Sequence, residues 1–100
     1  MIITNLNEGP KAEYSVTGTE LTIHGVVINL SARQGDVQTV VDVCLGSDLA
    51  TAAEGVGSWY VATVVIPPRE YELMESGEPQ ALPLDMGKVE LRLWTLPRVN

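Results

Sequence analysis

The side chains with chemistry to offer are few: one histidine, one cysteine, four closely spaced glutamates, and a tryptophan near an arginine. Any Ser-His-Asp or Cys-His catalytic set would have to use His24, the only histidine. No G-x-S-x-G elbow accompanies it, so His24 reads as an outward strand residue opposite Leu21 and Ile23. Cys44 lies in VDVCLG, where Asp42 is the only charged neighbour. A carboxylate does not favour a thiolate, so Cys44 reads as a small passive side chain. Glu70, Glu72, Glu75 and Glu78 offer hard oxygen ligands, but no Asp-x-Asp-x-Asp-Gly loop is present. They read as a solvated face, and their spacing singles out no glycosidase pair. Gly55-Val56-Gly57 precedes an apolar run, whereas a phosphate-cradling loop follows a strand and opens a helix. No catalytic, cofactor-binding or metal-binding residue is therefore assigned, and no cofactor is expected.

The stronger lead is physical and involves no reaction. In GKVELRLWTL, Trp94 falls on the polar face with Lys88, Glu90 and Arg92. Tryptophan and arginine are enriched at interface hot spots, which makes Trp94, Arg92, Trp59 and Tyr60 candidate contacts with a protein partner or a second copy. Arg69 and Tyr71, beside Pro67-Pro68, are candidate polar contacts if the chain instead binds a small ligand.

These residues need a scaffold, and the patterning supplies one. The chain of 100 residues reads as a single β domain over 1–100. Val89, Leu91 and Leu93 alternate with Lys88, Glu90 and Arg92, the period of a strand with one dry face. Val37–Leu45 places its odd positions inward, and Trp59–Ile66 is apolar on both faces, as in a covered central strand. Ile2–Leu6 reads as a short edge strand, Glu13–Thr17 as a weak one, and Pro67-Pro68 as a stop. Arg69–Met74 and Gln80–Leu84 read as extended. In ELTIHGVVINL the apolar face moves from odd to even positions at His24-Gly25, which predicts a β-bulge there. Ser47, the nearby alanines and Gly55 suit one short helix near 47–54. The fold class is thus all-β: an antiparallel β-sandwich or small, partly open β-barrel of six to eight short strands, with at most that one helix.

Composition narrows the function. The formal net charge is −7 and the six basic residues are scattered, which argues against nucleic acid and anionic membranes as partners. A single cysteine excludes an internal disulfide. No apolar run approaches the ~20 residues of a membrane-spanning helix and no signal-like segment opens the chain, so a cytoplasmic location is the default expectation. Charged residues make up 19%, below the usual ~25%, and mean hydropathy is +0.12. Apolar side chains are in surplus for so small a domain. The expected function is a non-enzymatic protein-interaction or structural module, self-associating or an accessory subunit of an assembly. A small-ligand-binding β domain is the alternative, and a small enzyme using carboxylates or His24 comes third.

Overall fold

The computed structural model describes residues 1–97. It is all-β, with three sheets, one short helix and no closed barrel. The strands are β1 (Ile2–Asn5), β2 (Tyr14–Thr17), β3 (Glu20–Ile23), β4 (Val26–Asn29) and β5 (Thr39–Leu45). They continue as β6 (Ala52–Glu54), β7 (Trp59–Ile66), β8 (Tyr71–Leu73), β9 (Pro79–Ala81) and β10 (Glu90–Leu93). Helix α1 is the single turn Leu30–Arg33, and a 3₁₀ turn spans Met86–Lys88.

The larger sheet has the order β1-β10-β7-β5-β6. Its strands pair antiparallel except β1, which runs parallel to β10 and ties the start of the chain to its end. One face carries Val41, Val43, Val64, Leu91 and Leu93, all buried. The smaller sheet, β2-β3-β4, adds Leu21, Ile23 and Ile28 to the same hydrophobic cluster. Two sheets thus share one aliphatic core, and burying such branched side chains is the main favourable term holding them together. The third sheet is the hairpin β8-β9, all six of whose strand residues are exposed.

Several expectations are corrected. Ten strands form among the described residues where six to eight are expected, because Glu20–Leu30 divides at His24-Gly25 and β6 forms where a helix is expected. The larger sheet is mixed, because β1 adds parallel at its edge. No helix forms near 47–54: that stretch makes a turn and then β6. Pairing of β6 with β5 overrides the helix propensity of the alanines. The one helix lies instead at Leu30–Arg33, where the Asn29 side chain accepts a hydrogen bond from the Ala32 N–H at 3.1 Å.

The register change at His24-Gly25 is a hairpin turn and not a bulge. Ile23 pairs with Val26, leaving two residues in the loop. Both have positive φ, 47° for His24 and 85° for Gly25, as a type I′ turn demands. A bulge occurs elsewhere: Val43 pairs with Ala62 but Cys44 with Tyr60, so Val61 is the extra residue.

The molecule measures 62 × 22 × 21 Å, with a radius of gyration of 15.7 Å, against about 13 Å for a compact chain of this length. The eight-residue β7 spans only about 26 Å at ~3.3 Å per residue. The β8-β9 hairpin contributes to the remaining length, leaving the end of the large sheet where Ile66 pairs with Thr39. We refer to it as the arm.

Candidate interaction surfaces

Arg92, opposite Thr63, lies nearer the middle of the large sheet, and Trp59, Tyr60 and Trp94 lie toward its end away from the arm, on two different faces. Leu45 pairs with Trp59 there. The extra residue in β7 reverses side-chain alternation, so Tyr60 meets Trp94 on the outer face, their ring centroids 5.3 Å apart at 43°. Trp94 is half-buried and Tyr60 exposed. Arg92 is exposed and holds Glu90 at 3.2 Å. The Glu90 carboxyl, which also accepts the Thr4 hydroxyl at 2.7 Å, is held below the usual carboxylate range chiefly by the Arg92 hydrogen bond. Trp59 sits apart and donates its indole N–H to the Thr95 carbonyl at 2.8 Å. The Trp59 indole and the Arg92 guanidinium are therefore partnered from within the chain.

Arg69 and Tyr71 do converge, but on this chain's own acceptors. The Arg69 guanidinium donates to the Gln34 carbonyl at 2.8 Å and lies 3.6 Å from Asp36. The Tyr71 hydroxyl donates to the same Asp36 carboxylate at 2.6 Å. The cavity beside them, lined by Gln34, Pro67 and Lys88 among others, holds about 10 Å³, near the minimum for one water. These contacts anchor the base of the arm. Lys88 adds a 2.6 Å bond to Glu70, which raises the Lys88 pKa.

Beyond that base no hydrogen bond or ion pair among the described residues ties the arm to the rest of the chain. Gly77, at φ 83°, closes its turn, with backbone bonds between Met74 and both Gly77 and Glu78. Leu73 is 76% exposed, Tyr71 49%, Met74 44% and Leu82 36%. Glu72, Glu75 and Glu78 stand among them with no ion pair among the described residues. Of the glutamate cluster, only Glu70 has a cationic partner. No group of three potential metal ligands forms among the described residues.

At the opposite end lies an open groove of about 560 Å³, lined by Lys11, Tyr14, Thr22, His24 and Leu96, with Glu13 on its wall. His24 is exposed, and its Nε2 is 2.9 Å from the Ala50 carbonyl, which stitches the β3-β4 turn to the loop after β5. Neither the arm nor this groove was singled out by sequence. The acidic run over 70–78 was the one available pointer to the arm.

Cys44 is buried, packed beneath Gly57. A Cβ at Gly57 would lie 2.9 Å from the Cys44 Cβ and 2.5 Å from the Leu45 carbonyl oxygen. No helix among the described residues is long and apolar enough to cross a membrane. No protein-family model, curated protein or solved structure matches the chain.

Proposed function

We propose that this protein is a non-enzymatic interaction module that engages a protein partner through the arm. The observation that carries this reading is the exposure of Tyr71, Leu73, Met74 and Leu82 on a hairpin with both edges unpaired. Isolated two-stranded hairpins are marginal in water. Apolar side chains displayed on one gain most by being covered, and free strand edges offer main-chain hydrogen bonds to an incoming chain. The base of the arm is fixed by Arg69, Tyr71 and Lys88, which limits the entropy lost when a partner orders the rest.

The test is a double variant, Leu73→Ser with Met74→Ser, compared with wild type by light scattering and by circular dichroism. The expected result is a loss of association with an unchanged spectrum. A variant that associates as strongly as wild type would refute the role of the arm.

A further inference from the structure

We infer that the protein binds a small organic ammonium ion with an apolar body, in the open cavity bounded by Leu49, Trp59, Leu96 and Pro97 with Glu8 on its wall. The site lies at the Trp59 end of β7, away from the arm, and stands independently of the arm's role. Its volume is about 520 Å³, within the ~300–1,000 Å³ of small-molecule sites.

The walls are set before any ligand arrives. Leu49 has φ 54°, a backbone conformation that bulky side chains rarely adopt. Its neighbours hold it there. The Leu49 N–H donates to the Gly46 carbonyl at 2.9 Å, and the Asp48 carboxylate accepts the Ala50 and Thr51 N–H groups, each at 3.0 Å. His24 Nε2 lies 2.9 Å from the Ala50 carbonyl. The product of this bracing is a leucine left 39% exposed on the cavity wall. Strain maintained by the surrounding bonds is a mark of ligand clamps. Trp59 is fixed by its indole bond to the Thr95 carbonyl at 2.8 Å. The facing turn is stitched to the same segment: Asn7 Oδ1 accepts the Thr95 N–H at 2.6 Å, and the Leu96 N–H donates to the Pro10 carbonyl at 2.7 Å. Gly9, at φ 125°, permits that approach, because a Cβ there would lie 2.1 Å from Thr95 Oγ1.

Charge selects the ligand class. Glu8 is the one charged residue among those lining the cavity, and it holds no ion pair among the described residues. Lys11 lines the neighbouring groove, and its ammonium donates to the Gly9 carbonyl. A carboxylate beside an indole attracts an ammonium twice, by charge and through the ring quadrupole. An anion would meet Glu8 and a formal net charge of −7. Leu49, Leu96 and Pro97 offer the apolar body its contact.

The experiment is an NMR titration at neutral pH that follows the indole N–H signals of Trp59 and Trp94. The probes are phenethylamine, the neutral phenethyl alcohol and the anionic hydrocinnamate. Wild type is expected to bind the amine most tightly and the acid least, with the Trp59 signal moving further than the Trp94 signal. Glu8→Gln should weaken the amine by about fivefold, as for an exposed ion pair, and leave the alcohol unchanged. Leu49→Gly removes one wall at a position whose φ suits glycine, so the fold persists and both probes bind more weakly. A Trp59 signal that no probe moves overturns the site. Equal affinity of wild type and Glu8→Gln for the amine overturns the ammonium class. A Leu49→Gly protein that binds like wild type overturns the clamp.

Discussion

Strands β10 and β8 carry the same local pattern and end in opposite surroundings. Val89, Leu91 and Leu93 alternate with charged residues, as do Tyr71 and Leu73 with Glu70 and Glu72. Val89, just before β10, and Leu91 and Leu93 within it are 0%, 0% and 3% exposed, whereas Tyr71 and Leu73 are 49% and 76% exposed. The difference is what lies opposite. β10 sits between β1 and β7, with the smaller sheet packed over its dry face, whereas β8 pairs only with β9. Period-two alternation specifies a strand with two unlike faces. It does not say which chain covers the apolar one.

The comparison makes its largest demand on the core. Leu91→Ala, at a fully buried position in the shared cluster, is expected to destabilise the fold by about 2–5 kcal/mol. That is a large part of the ~5–15 kcal/mol available to a typical domain. Urea denaturation followed by tryptophan fluorescence measures it, and a loss below ~1 kcal/mol would place Leu91 outside the cooperative core.

What the sequence disclosed follows the same division. The dry face of β10, the inward odd positions of β5 and the covered β7 were readable because alternation and apolar runs are local signals. At His24-Gly25 alternation alone does not separate a bulge from a two-residue hairpin, because both shift the apolar face and both accept glycine; positive φ at both residues marks the hairpin. Histidine replaces the asparagine or aspartate that usually announces a type I′ turn. The helix expected near 47–54 lost to pairing between β6 and β5, a tertiary effect that propensity does not contain. Neither the arm nor the groove was legible, because each depends on which strands fail to find a neighbour.

A second, smaller effect probes the rim of the core. Gly57→Ala would push a methyl group against the Leu45 carbonyl and Cys44, at an expected cost of about 1–3 kcal/mol. A stability equal to wild type would mean that the loop lifts freely and does not brace Cys44. Smaller again is Thr63→Val. The Thr63 hydroxyl donates to Asp42 at 2.8 Å on a residue 5% exposed, and replacing it with an isosteric methyl should cost about 1 kcal/mol. The double-mutant cycle with Asp42→Asn separates that bond from the packing of the new methyl.

Acid should act on the loop after β5. The Asp48 carboxyl accepts the Ala50 and Thr51 N–H groups and the Thr51 hydroxyl. These bonds, Ala50 first, lower its pKa from 3.8 to about 2. A folded pKa below the unfolded value means the stabilisation is present above about pH 4 and is lost as the pH falls toward 2. An NMR titration of the Asp48 carboxyl should find its midpoint near 2. A midpoint near 3.8 would show the loop open in solution.

The smallest expected effect on stability belongs to the arm, and it carries the most weight in the comparison with β10. Leu73→Ser removes an apolar side chain from the same kind of alternating strand as Leu91→Ala. At 76% exposure Leu73 has little burial to lose, so the denaturation midpoint of the dilute protein should stay within about 0.5 kcal/mol of wild type. At high concentration the two proteins should diverge, because a partner that binds only the native form adds to wild-type stability by mass action. A midpoint that rises with concentration for wild type and stays flat for Leu73→Ser would mark the arm as a surface used between molecules. A large loss in the dilute protein would instead mean that Leu73 folds back onto its own chain in solution, and β8 would then belong with β10 after all.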